Sequence, residues 1–301
     1  MKILVTGGAG FIGSNLVKNL VDEGHEIVVV DNLSTGSLEN LSEVEEEIKF
    51  IESPCSKVLE LADLKDLDGI YHYGIPSTTQ LYRDNHLLVG EAVNEFINIL
   101  KLSEREDCKL VYASSSSVYN GCKTPFVEDM PIMVKDFYTE ARYLMERLAR
   151  LYHDLHGVNS AGFRFFSVYG PNEEAKKNFA NLISQFLWDI RKGKSPLIYG
   201  DGSQRRDFTF VDDINRGFRL GMASDTQCDI FNLGTGVCYN LNELVDLINE
   251  ILGTSVKPVY QDNPLRNYVE ATLAHTAKAK EKLGFEAEIS LREGIEKLCK
   301  K

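Results

Sequence analysis

Tyr138 and Arg142 lie four residues apart within residues 136–156, a stretch whose apolar spacing predicts a helix, so a phenol and a guanidinium share one face. A phenol can take a proton from a substrate hydroxyl and return it, and a cation beside it stabilises the phenolate. A run of four serines, Ser114 to Ser117, follows the apolar strand pattern Lys109-Leu110-Val111-Tyr112-Ala113. A hydroxyl from that run would bridge the phenol and the substrate oxygen that loses its proton. The chemistry implied is proton transfer to and from a substrate hydroxyl, and oxidation at that carbon would need a partner to accept hydride.

That partner is implied by the first thirty-one residues. Thr6-Gly7-Gly8-Ala9-Gly10-Phe11-Ile12-Gly13 places glycines at 7, 10 and 13 directly after a strand and at the opening of a helix. Gly7 makes the turn, Gly10 lets the backbone approach a pyrophosphate at the helix N-terminus, and Gly13 allows close packing of helix on strand. Asp31 ends the second strand about twenty residues on, where a carboxylate accepts hydrogen bonds from the ribose hydroxyls of an adenosine. The same carboxylate repels a 2′-phosphate, so the expected cofactor is NAD rather than NADP.

The elements that position these groups alternate. Strand patterns at 2–5, 27–30, 69–73, 109–113 and 160–165 are separated by helical stretches at 13–23, 90–105 and 136–156. Continuous apolar strands of this kind belong to a parallel sheet covered on both faces, and the fold class expected is α/β, a Rossmann-type doubly wound sheet. It should fill residues 1–168. Residues 169–301 read as a smaller C-terminal substrate-binding lobe with helices at 178–192 and 241–252 and strands near 196–199 and 256–260. The chain is expected to rejoin the first domain at about 205–230. His72 sits in a strand and reads as a core histidine, and the acidic run at 43–47 as a solvated helix face.

Composition bounds the partners. The 301 residues are 43 % hydrophobic and 26 % charged, which is ordinary for a folded domain or two. Lysine plus arginine number 33 against 45 aspartates and glutamates, a net charge of −12 that repels nucleic acid and anionic membranes. Any anionic ligand must be met by a few placed cations. Six scattered cysteines with no C-x-x-C spacing read as small apolar side chains in a reducing compartment, and no metal site is expected. Without a cleavable leader pattern or a run long enough to span a membrane, the expected location is the cytoplasm.

With its Gly-x-x-Gly-x-x-Gly spacing and the segment Asp31-Asn32-Leu33-Ser34-Thr35-Gly36, the chain resembles the extended short-chain dehydrogenase/reductase family, in its nucleotide-sugar epimerase and dehydratase branch. The resemblance implies NAD held by Gly7, Gly10, Phe11, Ile12, Gly13, Asp31, Asn32, Ser34, Thr35, Gly36, Tyr73 and Gly74. It makes Tyr138 the acid/base, Ser115 the bridging hydroxyl and Arg142 the counterpart of the lysine in the family's Tyr-x-x-x-Lys. Arg164-Phe165-Phe166-Ser167-Val168-Tyr169-Gly170-Pro171 resembles a strand end that usually carries Asn at Ser167. The turn Gly200-Asp201-Gly202-Ser203-Gln204-Arg205-Arg206 is similar to one whose arginine pairs with a diphosphate. Ser116, Ser167, Asn181, Arg206 and Arg266 are therefore expected to bind a UDP-sugar. In the branch an aspartate follows the third strand and meets the adenine amine, whereas this chain reads Glu52-Ser53-Pro54-Cys55. Dehydratases of the branch follow the bridging hydroxyl with Asp-Glu and decarboxylases carry a Glu there; here stand Ser116 and Ser117. The implied activity is epimerisation of a UDP-sugar at C4, in a homodimer packed through the helices at 90–105 and 136–156. The alternatives are a hexuronate epimerase or reductase, or an NAD-binding protein impaired in catalysis by Arg142.

Overall fold

The structure, a computed structural model, describes residues 1–263 and 269–300. Its first half runs β1 (Lys2–Thr6), α1 (Phe11–Asp22), β2 (Glu26–Asp31), β3 (Ile48–Glu52), β4 (Gly69–His72), α2 (Thr79–Asp84), α3 (Leu88–Glu106), β5 (Lys109–Ser115), α4 (Phe137–His156) and β6 (Ser160–Phe165). The second half continues with β7 (Val168–Tyr169), α5 (Leu182–Arg191), β8 (Leu197–Tyr199), β9 (Arg205–Arg206), β10 (Thr209–Phe210), α6 (Val211–Ala223), β11 (Cys228–Leu233), β12 (Tyr239–Asn240), α7 (Leu241–Leu252), β13 (Val259–Gln261), α8 (Ala277–Leu283) and α9 (Leu291–Cys299).

Seven strands form one parallel sheet in the order β11-β6-β5-β4-β1-β2-β3, the Rossmann-type architecture expected. Val28, Val29 and Val30 are almost wholly buried because both faces of the sheet are covered. Leu16, Val17 and Leu20 of α1 pack with Ile214 and Phe218 of α6 on one face. Phe96, Ile99 and Leu100 of α3 pack with Ala141 and Met145 of α4 on the other. A separate apolar cluster joins α5, α7 and α9 through Phe186, Leu244 and Ile295.

The strand and helix patterns of the first half were legible to within a few residues. β3 was not, because its Ile-Lys-Phe-Ile-Glu sequence lies at the sheet edge and is only partly buried. The acidic run is solvated but is not a helix face: Glu45–Glu47 is a single tight turn, and Val44 beside it is buried. The helix expected at 178–192 begins at Leu182, after a separate short turn at Glu174–Phe179. α6 packs on α1, and β11 then adds the outer strand beside β6, where Phe231 and Leu233 are fully buried.

Local chemistry places α4, the helix carrying Tyr138. Asp136 caps it by accepting from the Thr139 N–H at 2.9 Å, and Gly157, with φ +74°, ends it in the left-handed turn that glycine adopts without cost. None of the six cysteines is bonded to another; Cys55 and Cys108 are buried, while the other four are partly exposed and so not the core residues expected. Among the described residues no group of metal-ligating side chains forms, and no helix is long and apolar enough to cross a membrane.

His72 is fully buried on β4, with Nδ1 2.7 Å from the Thr6 hydroxyl and its ring against Phe96. Its Nε2 has no protein partner, so the core histidine is satisfied on one side only. Burial, and then the charge of Arg142, push its pKa down to about 3 from an ordinary 6.5. Between those values the unfolded chain binds a proton that the folded one refuses, so stability falls as the pH drops through that window. Urea unfolding at pH 7 and pH 5 should cost the wild type about 2 kcal/mol more than His72→Gln over the same interval. Equal slopes in the two proteins would mean that His72 is not the group responsible.

Candidate active site

A cleft of about 1210 Å³ opens at the carboxyl ends of the sheet strands, the position at which doubly wound folds bind ligands. Every expected cofactor residue lines it: Gly7, Gly10, Phe11, Ile12, Gly13, Asp31, Asn32, Ser34, Thr35, Gly36, Tyr73 and Gly74. Gly7 has φ +69°, and a Cβ there would lie 2.6 Å from the Gly74 nitrogen. A Cβ on Gly13 would fall 2.2 Å from the Gly7 carbonyl oxygen, so the turn closes only with hydrogen at both positions. No side chain caps α1 at Gly10, which leaves its first N–H groups aimed at the cleft. A diphosphate fits that cradle.

Asp31 is held by two backbone amides, accepting from the Ala9 N–H at 2.9 Å and the Leu33 N–H at 2.8 Å. Burial raises its pKa and these amides oppose the rise. Asp31 lines the cleft, and an acceptor-only carboxylate there suits ribose hydroxyls and not a second phosphate. The glycine cradle and this carboxylate together fit the adenosine diphosphate half of NAD.

Ser115, Ser116, Tyr138 and Arg142 line the middle of the same cleft. The Ser115 hydroxyl accepts from the Ser117 N–H at 3.2 Å, which fixes it at the end of β5. Arg142 is 4 % exposed and lies with its guanidinium carbon 5.0 Å from the centre of the Tyr138 ring. Its two terminal nitrogens donate to the Ala113 carbonyl at 3.1 Å and the Pro76 carbonyl at 3.3 Å. Tyr82 packs edge-on to Tyr138 at 5.6 Å and walls the phenol from the opposite side.

A buried ion pair one turn beyond Arg142 joins α4 to β6, and a hydroxyl bond joins the same carboxylate to β5. Glu146 receives Arg164 Nε at 2.9 Å and Nη2 at 2.6 Å, and also the Ser114 hydroxyl at 2.6 Å. Both charged side chains are 4 % exposed. Arg164 also donates to the Tyr119 hydroxyl at 2.6 Å, which donates to Asn232 Oδ1 at 2.8 Å. The network ties α4, β5, β6 and β11 together directly behind Ser115 and Tyr138. Nothing in the sequence pattern marked Glu146, because a carboxylate on a helix reads as solvated until its partner is placed.

At the far end the expected residues divide. Ser167 and Arg206 line the cleft. Ser167 has φ +31°, a left-handed backbone that asparagine tolerates better than serine. Arg206 donates to the Arg205 carbonyl at 2.8 Å and the Glu270 carbonyl at 3.3 Å. Asn181 does not line the cleft: its amide caps α5 by accepting from Ile183 N–H and donating to the Val168 carbonyl, both at 3.0 Å. That cap sits between Ala180 and Leu182, both of which line the cleft. Arg266 lies outside the described residues. Lys176, which sequence reasoning missed, lines the cleft with its ammonium 5.3 Å from the Phe11 ring centre and 3.3 Å from buried Glu173. An (i, i+3) charge pair of this kind looks like any surface pair in sequence.

Residues 3–234 match the NAD dependent epimerase/dehydratase family. A Methanocaldococcus jannaschii protein provisionally named a UDP-glucose 4-epimerase is 34 % identical, over 98 % of this chain and 96 % of its own. UDP-glucuronic acid decarboxylase 1 of Arabidopsis thaliana is 32 % identical over 99 % of this chain and 69 % of its own. The structure of a UDP-glucose 4-epimerase from Thermotoga maritima with UDP-glucose superposes with a TM-score of 0.91 at 29 % identity, over 98 % of this chain and 96 % of that one.

Removing one member of a buried ion pair strands the other charge in a medium that cannot solvate it. Glu146→Gln should therefore lower the unfolding free energy by about 3–5 kcal/mol in urea melts. A loss under 1 kcal/mol would mean that the pair is not the latch described.

Proposed function

The chain belongs to the NAD dependent epimerase/dehydratase family, and from that premise we propose that it inverts C4 of a UDP-sugar through a transient 4-keto sugar. The observation that carries this reading is the pair Ser116 and Ser117 directly after Ser115, where the dehydratases of the branch that the chain resembles carry Asp-Glu and its decarboxylases a Glu. The carboxylates that line the cleft stand elsewhere. Asp31 is bound to backbone amides, Asp136 caps α4, and Glu91 and Glu95 lie on α3. Reversible oxidation at a carbinol is what the remaining groups support.

NAD, when bound, supplies the acceptor and later the donor of hydride. Tyr138 takes the C4 hydroxyl proton through its phenol oxygen and gives it back to the same oxygen once the other face of the sugar has been presented. Ser115, fixed by the Ser117 N–H, orients the sugar hydroxyl toward that phenol. Arg142 keeps a positive charge against the Tyr138 ring, which favours the ring when it carries negative charge. Ser167, Arg206 and, outside the described residues, Arg266 are the groups proposed to hold the nucleotide sugar. Leu151 and Leu155 stand 50 % and 73 % exposed on α4 and support a homodimer through α3 and α4, which the mass in solution checks.

Purified protein should interconvert the C4 epimers of at least one of UDP-glucose, UDP-N-acetylglucosamine and UDP-glucuronate, resolved by chromatography, without net change in NAD. No conversion of any of the three by NAD-loaded protein would refute the proposal. Tyr138→Phe should lower turnover by roughly 10²-fold or more with the fold intact, the loss expected when a positioned proton carrier is removed. Near wild-type turnover in that variant would move the acid/base role to another residue.

A further inference from the structure

We propose that Glu95, on the inner face of α3, recognises the exocyclic amine of the adenine of NAD. The inference goes beyond the proposed reaction and does not depend on it, since it concerns only the dinucleotide.

Beyond Asp31 the cleft ends in a crevice bounded by Ser53 and Cys55 after β3, by Gly74 and Ile75 after β4, and by Glu91 and Glu95 of α3. An adenine placed past the ribose site of Asp31 enters that crevice. Its edge carries ring-nitrogen acceptors and one strong donor, the amine. A protein group that selects adenine over other purines must accept from that amine.

The side chains that line the cleft just after β3 offer only neutral acceptors. Pro54 has no N–H, the Ser53 hydroxyl donates to the Pro54 carbonyl at 3.2 Å, and the Cys55 thiol donates to the Gly74 carbonyl at 3.6 Å. Glu95 is different. Its Oε1 accepts from the Ser56 N–H at 3.2 Å, which turns the carboxylate toward the end of β3, and no protein donor meets Oε2 among the described residues. Asn98, three residues on, donates to the Ser56 carbonyl at 2.8 Å, so one residue of the β3 turn is gripped at both its polar ends and the carboxylate is held in place. A carboxylate accepts only, and the amine is the one donor on the adenine edge, so the pairing has a single sense. Glu91, four residues earlier, is exposed and lacks a comparable anchor. Burial holds the Glu95 carboxyl above its ordinary range, the Ser56 amide opposes the rise, and Glu91 adds to it, as expected for an acid set into a cleft wall.

The test uses nicotinamide hypoxanthine dinucleotide, in which a carbonyl oxygen replaces the amine, so the atom meeting the carboxylate becomes an acceptor and the edge's one donor moves to the neighbouring ring nitrogen. Purified protein is equilibrated with an equimolar mixture of this analogue and NAD, and the bound dinucleotides are released and resolved by chromatography. The wild type should retain NAD over the analogue by more than tenfold. Glu95→Gln keeps the oxygen that accepts from Ser56 and gains an amide donor, so its ratio should fall to about one or reverse, while Glu91→Gln keeps the wild-type ratio. The proposal is overturned if the wild type shows no preference, if Glu95→Gln discriminates as the wild type does, or if Glu91→Gln alone abolishes the preference. The wild-type ratio decides the matter even if Glu95→Gln fails to fold.

Discussion

The site depends on one ion pair that the solvent never reaches. Glu146 and Arg164 meet through two short contacts, and each also bonds a neutral group, Ser114 for the acid and Tyr119 for the guanidinium. Burying two charges is expensive, and their mutual attraction offsets that cost only when the geometry is close and the remaining donors and acceptors are met. Both conditions hold. The consequence is positional: α4 slid by one residue along β5 would separate the charges and strand them. Tyr138 and Arg142 stand two turns and one turn before Glu146 on the same helical face, so the register that satisfies the ion pair also sets the phenol in the cleft that Ser115 lines.

The second constraint is electrostatic. A chain of net charge −12 repels the anions that the proposed reaction requires. The cleft answers mainly with dipoles rather than whole charges. The uncapped N-terminus of α1 presents N–H groups behind glycines that hold the backbone close. Lys176 contributes less than its charge suggests, because Glu173 stands 3.3 Å from it, and Arg83, Arg142 and Arg206 also line the cleft. An arrangement built from fixed backbone dipoles selects a compact diphosphate and offers nothing to an extended polyanion.

Residues whose role follows from local spacing were legible in the sequence, and residues whose role follows from a distant partner were not. The glycines at 7, 10 and 13, Asp31 at a strand end, and Tyr138 with Arg142 one turn apart are all read within a window of a few residues, and all line the cleft. Glu146 and Arg164 are 18 positions apart and joined only by packing, so the sequence put Arg164 on a strand without showing that Glu146 is its partner. β11 pairs with β6 although the two begin 68 residues apart, and only its burial in the folded sheet identifies it. Asn181 stands at the start of a helix beside the cleft, and its bond to the Ile183 N–H as the cap of that helix is seen only in the fold.

Arg142 illustrates why the residue type at a site has to be read with its surroundings. A lysine has one compact ammonium at the end of a flexible stem, whereas a guanidinium is planar and donates in two directions at once. Here both directions are used, toward the carbonyl of Ala113 at the end of β5 and the carbonyl of Pro76 in the segment after β4. The fork therefore joins the two strand ends that flank the centre of the cleft. The charge against Tyr138 is held in one place by protein alone, with no ligand needed to orient it. An ammonium there could reach farther into the cleft but would bridge those carbonyls less rigidly. The arginine thus exchanges reach for fixed position, and the contacts that fix it also brace the walls between which the proposed substrate has to turn.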